Sequence, residues 1–290
     1  PYFNALFVPL TWLLLIAMGM GSNIRWKKDS RPLLGAGMII AVSSLVLAAI
    51  IAYFVSPSEM LNIGVTLAIS FWVLLWMVVD LKDKTKNASS RLTGLRQLRL
   101  SYWGQQIAHI GVIIAVIGVA FTTTLSIERD VALAPNDSVH VQGYDFVVKG
   151  FREVKGSNFD ATQAEVAISK DGQEVTTLYP EKRNFIISMM PMTEAAIDAT
   201  LLRDVYVALG EPIAENSNEW AFRIYVKPLI RWIWLGALIM AFGALLSIID
   251  NRYRIKKTKT PMQIMPEKSG ARPVTESEIP VTKMGGCLLY

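Results

Sequence analysis

Cysteine and histidine are almost missing from this chain of 290 residues, which holds Cys287 and only His109 and His140. A single cysteine excludes a disulfide framework, a Cys-x-x-Cys redox pair and a Cys-x-x-Cys-His haem attachment site. The chain is therefore not itself a c-type cytochrome. Two distant histidines, with no serine in an elbow motif, argue against a hydrolytic triad. The glycine pairs Gly19/Gly21 and Gly35/Gly37 follow no predicted strand and lack the rest of a phosphate-cradling pattern, so helix packing is their simpler use. The chain opens at Pro1, without an initiator methionine or a signal-peptide pattern, and its first apolar run is under way by residue 3. The expectation is a fragment, or a processed half, of something longer.

Apolar residues, by contrast, are abundant and clumped. They make up 52% of the chain and fall into blocks rather than into a soluble protein's periodicity, which marks a polytopic membrane protein. Five blocks, at 3–20, 33–55, 61–79, 101–124 and 229–249, read as transmembrane helices. Basic residues sit after the first block (Arg25, Lys27, Lys28, Arg31), after the third (Lys82, Lys84, Lys86, Arg91, Arg96, Arg99) and after the fifth (Arg252, Arg254, Lys256, Lys257, Lys259). By the positive-inside rule these three clusters are cytoplasmic, and the N-terminus and the segment between the fourth and fifth blocks lie outside. The same rule accounts for the basic loops, so nucleic-acid binding need not be invoked. Trp232 and Trp234 stand where an aromatic belt meets the interface.

The fourth block is the one the others are arranged around. On a helical wheel of about 100° per residue, Tyr102, Gln105, Gln106, His109, Val112, Ile113 and Val116 share one face. Gly104, Ala108, Gly111, Ala115, Gly118 and Thr122 form a seam of small residues roughly 130° away, suited to close approach of another helix. His109 is the only histidine in any apolar run. Imidazole facing lipid is costly, so the Gln-Gln-His face is expected to look into a protein-lined or wet cavity. Two readings stay open at this stage: a satisfied polar bridge between helices, and a ligand or proton-relay role. Imidazole suits haem iron, but the spacing supplies only one axial ligand, so a partner must come from elsewhere. His140 cannot be that partner, because it lies on a predicted strand beyond the external end of the span. It reads as a surface or edge-strand histidine. Asp80 and Asp250, at the cytoplasmic ends of spans, read as snorkelling or capping residues.

Residues 125–222 differ in kind. They hold sixteen Asp and Glu against eight Lys and Arg. Alternating runs at 139–141, 144–148, 164–169 and 174–179 are split by Asn136-Asp137, Gly143, Gly156 and Asp171-Gly172, the signature of short strands and tight turns. A small β-rich domain, barrel or sandwich, is expected here, with a short helix near 192–200. From residue 260 the tail is rich in Pro, Lys, Glu, Ser and Gly and reads as disordered. The fold class is thus a membrane all-α bundle of five transmembrane helices with an inserted extracytoplasmic β-rich domain. The divisions are 1–124 for the first four spans, 125–222 for the periplasmic β-rich domain, 223–251 for the fifth span and 252–290 for the cytoplasmic tail.

Several strings in this order resemble the C-terminal part of the CcmF family, the large haem-handling membrane subunit of a bacterial system for c-type cytochrome maturation. They are Trp103-Gly104 with Ala108-His109-Ile110-Gly111, then Tyr179-Pro-Glu-Lys-Arg183, Met192-Thr193-Glu194-Ala-Ala-Ile197 and Asp204-Val-Tyr-Val-Ala-Leu-Gly210-Glu211. The resemblance runs from residue 1 to about 257. It implies a location in the bacterial inner membrane and a haem b held between two transmembrane histidines. His109 matches the second of these as an axial ligand of the iron, and Gln105 and Gln106 would line the pocket. It also implies partners: CcmE-type and CcmH-type proteins, and the apocytochrome c to which haem is joined. The family's first transmembrane histidine and its tryptophan-rich external segment belong to an N-terminal part with no counterpart here. This chain alone is therefore expected to be incompetent for the ligation reaction.

Two other classes remain. A transporter half would place His109 and the glutamines on a substrate or proton path, but the inverted repeat that would favour it is not visible. A non-catalytic assembly scaffold would use His109 to bridge helices. The acid excess of 125–222 suits electrostatic docking of a basic polypeptide. Binding of such a peptide to this domain should weaken steadily as salt rises, measured by anisotropy titration; salt-insensitive binding would contradict it.

Overall fold

The computed structural model describes residues 2–21, 33–187, 189–214 and 218–250. The first basic cluster, Arg25 to Arg31, and the tail from Arg252 onward lie outside them. Five of the helices are long: α1 (Tyr2–Gly21), α2 (Leu33–Val55), α3 (Met60–Thr85), α5 (Leu100–Leu125) and α6 (Ile230–Ile249). The short α4 (Arg91–Gln97) was not foreseen. Ser90 caps it, its hydroxyl accepting the N–H of Thr93 at 3.2 Å. Among the described residues, α2 (from Gly35), α3, α5 and α6 are long and apolar enough to cross a membrane, and α1 contributes a shorter apolar run, Ala5–Gly21.

Burial on these helices is inverted relative to a soluble protein. Phe54, Leu61, Leu13 and Leu238 are among their most exposed side chains. Small residues turn inward instead: Ala48 and Ala52 of α2 pack with Ile63, Leu67 and Ala68 of α3. Leu15, Val73 and Ile113 join α1, α3 and α5. So wide an apolar exterior is explained by lipid. Some polar side chains inside are satisfied within their own helix, as where Ser70 donates to the Thr66 carbonyl at 2.8 Å.

The tightest packing joins α5 to α6, which run antiparallel. Gly104, Gly111 and Gly118 recur every seven residues on α5, and Gly236 and Gly243 do so on α6. A Cβ on Gly111 would stand 2.7 Å from the Gly236 carbonyl oxygen, and one on Gly236 would stand 2.5 Å from the Gly111 carbonyl oxygen. Gly104 and Gly243 meet in the same reciprocal way. Ala108 and Ala115 close the gaps between them. Thr122 ends the seam by donating to the Pro228 carbonyl at 2.7 Å. Backbones this close gain dispersion contacts that larger side chains would forbid.

Among the described residues ten strands follow α5: β1 (Ile127–Leu133), β2 (Ser138–Val141), β3 (Tyr144–Lys155), β4 (Phe159–Lys170), β5 (Gln173–Leu178), β6 (Glu181–Phe185), β7 (Pro191–Glu194), β8 (Ala196–Ala199), β9 (Arg203–Pro212) and β10 (Trp220–Pro228). They form two antiparallel sheets, one ordered β1-β10-β9-β8 and the other β2-β3-β4-β6-β7, with β5 also on β4. Their inner faces share one core, in which Phe146, Val148, Val166 and Ile168 meet Val205, Val207, Leu209, Phe222, Ile224 and Val226. The expected turns are present: Gln142-Gly143 and Asp171-Gly172 both have positive φ, the conformation that a two-residue hairpin demands.

Two expectations need correction. The stretch 192–200 is not a helix but the strands β7 and β8, because Ala196–Ala199 pairs with Asp204–Val207 and completes the first sheet. Pairing on an existing edge outweighs the helix propensity of its alanines. The β-rich domain also does not stop at 222. β10 continues to Pro228, with Val226 still in the core, so the sheet runs to the foot of α6.

Replacing Gly111 by alanine should force α5 and α6 apart and cost about 1–3 kcal/mol by overpacking. A lowered melting temperature in detergent would register the loss, whereas Gly35→Ala, which meets open space, should leave it unchanged.

Candidate functional site

His109 lies in the middle of α5, on the side away from the glycine seam, and is half-buried. Ile113, one turn further on, is buried against α1 and α3, so the His109 face is the one α5 turns toward that part of the bundle. No hydrogen bond or ion pair reaches the imidazole from the described residues. Two turns along the same face, Val116 and Ala120 floor a cavity of about 510 Å³ between α1, α3 and α5, with Trp12, Asn62 and Thr66 on its other walls.

The two glutamines part company. Gln106 is buried and donates to Asp80 Oδ2 of α3 at 3.3 Å. Gln105 is exposed and faces the basic end of the bundle, beside Lys84 and Arg99. One residue of offset turns the side chain by about 100°, enough to move it from an interhelical contact to the rim.

Asp80 was underestimated. It is not a snorkelling end residue: only 4% of its surface is accessible. Its Oδ2 accepts from Gln106 and its Oδ1 lies 3.6 Å from Lys84 Nζ, one turn on in α3. The ammonium sits over the Tyr102 ring, 5.5 Å from its centroid. The Tyr102 hydroxyl is buried beside Asp80 and Gln106. The signal available in the sequence was an aspartate closing an apolar run with lysine four residues later. Asp250 does cap: it is the C-cap residue of α6, and its Oδ2 accepts the N–H of Ser101 in the first turn of α5 at 2.7 Å.

His140 stands apart on β2, exposed, with Nδ1 2.7 Å from Asp145 Oδ1 of β3. Nothing brings it toward His109. Among the described residues no three His, Cys, Asp or Glu side chains come together as a metal cage. At the domain junction Arg231 of α6 reaches Asp204 of β9 at 3.3 Å. Arg203 is itself partly desolvated, which opposes its charge, yet Asp198 and the Tyr144 hydroxyl hold its pKa above the ordinary value.

A family model described as the CcmF C-terminal beta-sandwich matches residues 124–228, the whole of the two-sheet domain. A cytochrome c-type biogenesis protein CcmF of Pseudomonas fluorescens is 43% identical over 256 residues, covering 88% of this chain and 38% of the relative. The Escherichia coli CcmF is 35% identical over 271 residues, covering 92% and 40%. The chain belongs to the CcmF family. A solved structure of the cytochrome c haem lyase CcmF superposes with a TM-score of 0.67 at 18% identity, over 86% of this chain and 40% of that one. The fold is therefore shared from the helices through the sandwich, and this CcmF-family chain spans about two fifths of the length of the relatives it matches.

Within that fold the Asp80–Gln106 bond is the polar tie between α3 and α5. Gln106→Leu should destabilise the bundle by about 1–3 kcal/mol, since it leaves a buried carboxylate short of a donor. The Asp80→Leu/Gln106→Leu pair should recover part of that loss. Thermal melts of the three variants give the coupling, and additive losses would deny the tie.

Proposed function

We propose that this chain is the part of a haem-handling CcmF-type subunit in c-type cytochrome maturation that supplies one axial ligand, His109, to a haem b within the membrane. The supporting observation is the unpartnered imidazole. A histidine serving only as a bridge between helices would have its nitrogens hydrogen-bonded to a neighbour, as buried polar groups are. His109 has no such partner among the described residues, so it fits a group that arrives from outside them. Among the described residues no three His, Cys, Asp or Glu side chains gather into a metal cage, which suits axial ligation rather than a multidentate metal site.

Haem held there would supply a redox-active iron with its potential set by ligand and burial. This chain's own residues do the holding. His109 donates a nitrogen lone pair, Gln106 is fixed by Asp80 one turn away, and Gln105 lies at the rim of the same face. The second axial ligand would come from the remaining three fifths of a family-length protein. The β domain, on the outer side of the bacterial inner membrane in this reading, would be the platform for CcmE-type and CcmH-type partners and for apocytochrome c. Its acid excess suits a basic partner. On its own the chain would not complete the ligation.

The test is a reduced-minus-oxidised visible spectrum of the protein purified together with the remainder of its family-length partner. A bis-histidine signal that is lost in His109→Ala and partly restored by added imidazole is expected. Equal haem in both proteins would remove His109 from the site and favour an assembly scaffold; no haem in the intact pair would favour a transporter half.

A further inference from the structure

A second cavity opens at the basic end of the bundle, apart from His109. It measures about 470 Å³ and is walled by α3, the α4–α5 link, α5 and α6, through Lys84, Gln97, Arg99, Tyr102, Gln105 and Ser247. The acids near it are already engaged. Asp80 is buried beneath Lys84 and shared with Gln106, while Asp250 accepts the Ser101 N–H. The lysine side chain still presents 43% of its surface. Arg99 is exposed, and its guanidinium has no ion-pair or hydrogen-bond partner among the described residues. Two cations and two exposed amides thus face the same space.

The helices that wall the cavity carry exposed apolar side chains: Leu92 on α4, Leu100 on α5, and Leu245, Ile248 and Ile249 on the last turns of α6. A free inorganic anion would meet the charges and leave these side chains unused. An amphiphile with an anionic head uses both, and basic clusters at the ends of transmembrane helices attract such lipids. We infer that the cavity seats the headgroup of an anionic phospholipid, with Lys84 and Arg99 as its cationic contacts and the acyl chains along the exposed flank of α4–α6. The inference is independent of the haem reading.

Native mass spectrometry of the purified membrane protein, released from nanodiscs of phosphatidylcholine with a minority of phosphatidylglycerol, tests it. The protein should retain phosphatidylglycerol in preference to phosphatidylcholine. Lys84→Gln with Arg99→Gln should weaken that retention roughly ten-fold or more, as the loss of two interfacial charges implies. The charge-preserving pair Lys84→Arg with Arg99→Lys should keep it, separating lost binding from lost folding. Three results would overturn the inference. One is an equal loss from Lys82→Gln with Arg91→Gln, basic residues off the cavity wall, which would leave only general surface charge. Another is indifference to the headgroup. The third is displacement of the lipid by millimolar inorganic phosphate, which would identify a free anion as the occupant.

Discussion

The approach of α5 to α6 is the constraint on which the rest depends. Between apolar helices in lipid no hydrophobic force favours association, so affinity must come from packing and from weak backbone contacts. Gly111 and Gly236 each stand where the other's carbonyl would strike a side chain, and Gly104 and Gly243 repeat the arrangement. The seven-residue spacing on both helices keeps the glycines on one line. That line fixes the rotation of α5 about its axis, and with it the direction of every other side chain on the helix. His109 and Gln106 face α1 and α3 because the glycines face α6.

The same pair of helices carries the β domain. α5 passes through Ser126 directly into β1, and β10 passes through Leu229 into α6. β1 and β10 are themselves paired, Ile127 with Val226 through Leu133 with Trp220. The antiparallel relation of the helices therefore continues without a break into the first sheet. Leu229 turns the corner with positive φ, an uncommon conformation for leucine, and its N–H donates to the Leu202 carbonyl at 2.9 Å. The Arg231–Asp204 contact adds a second link across that joint. A domain attached by two consecutive backbone continuations and a ladder has far less freedom than one on a pair of linkers.

Much of this was legible in the sequence because it is written in periodicity. Runs of twenty apolar residues, the small-residue seam around Gly111 and the Asp171-Gly172 turn each carry a local signature. What was missed depends on partners far along the chain. Ala196–Ala199 became a strand because β9 offered an edge, which no window of nine residues reveals. Asp80 looked like an end-of-helix charge until α5 covered it and Gln106 claimed its oxygen. The wheel put Gln105 and Gln106 on one broad face, whereas an interhelical contact discriminates at the width of a single residue. A special role for His109 could be suspected from its setting in an apolar run, but that no described residue bonds its ring is visible only once the helices are packed.

The contrast between Gln106 and His109 carries the functional argument furthest. Both are polar, both lie on the same side of one helix, and they are separated by a single turn. A bundle selected only for stability would satisfy both from neighbouring helices, as it does Gln106 through a buried carboxylate and Ser70 through a carbonyl. Among the described residues nothing closes the imidazole, and an open imidazole has a cost in lipid. That cost is understandable when the bond is completed by something beyond the chain, and the relatives, more than twice as long, have room to supply it.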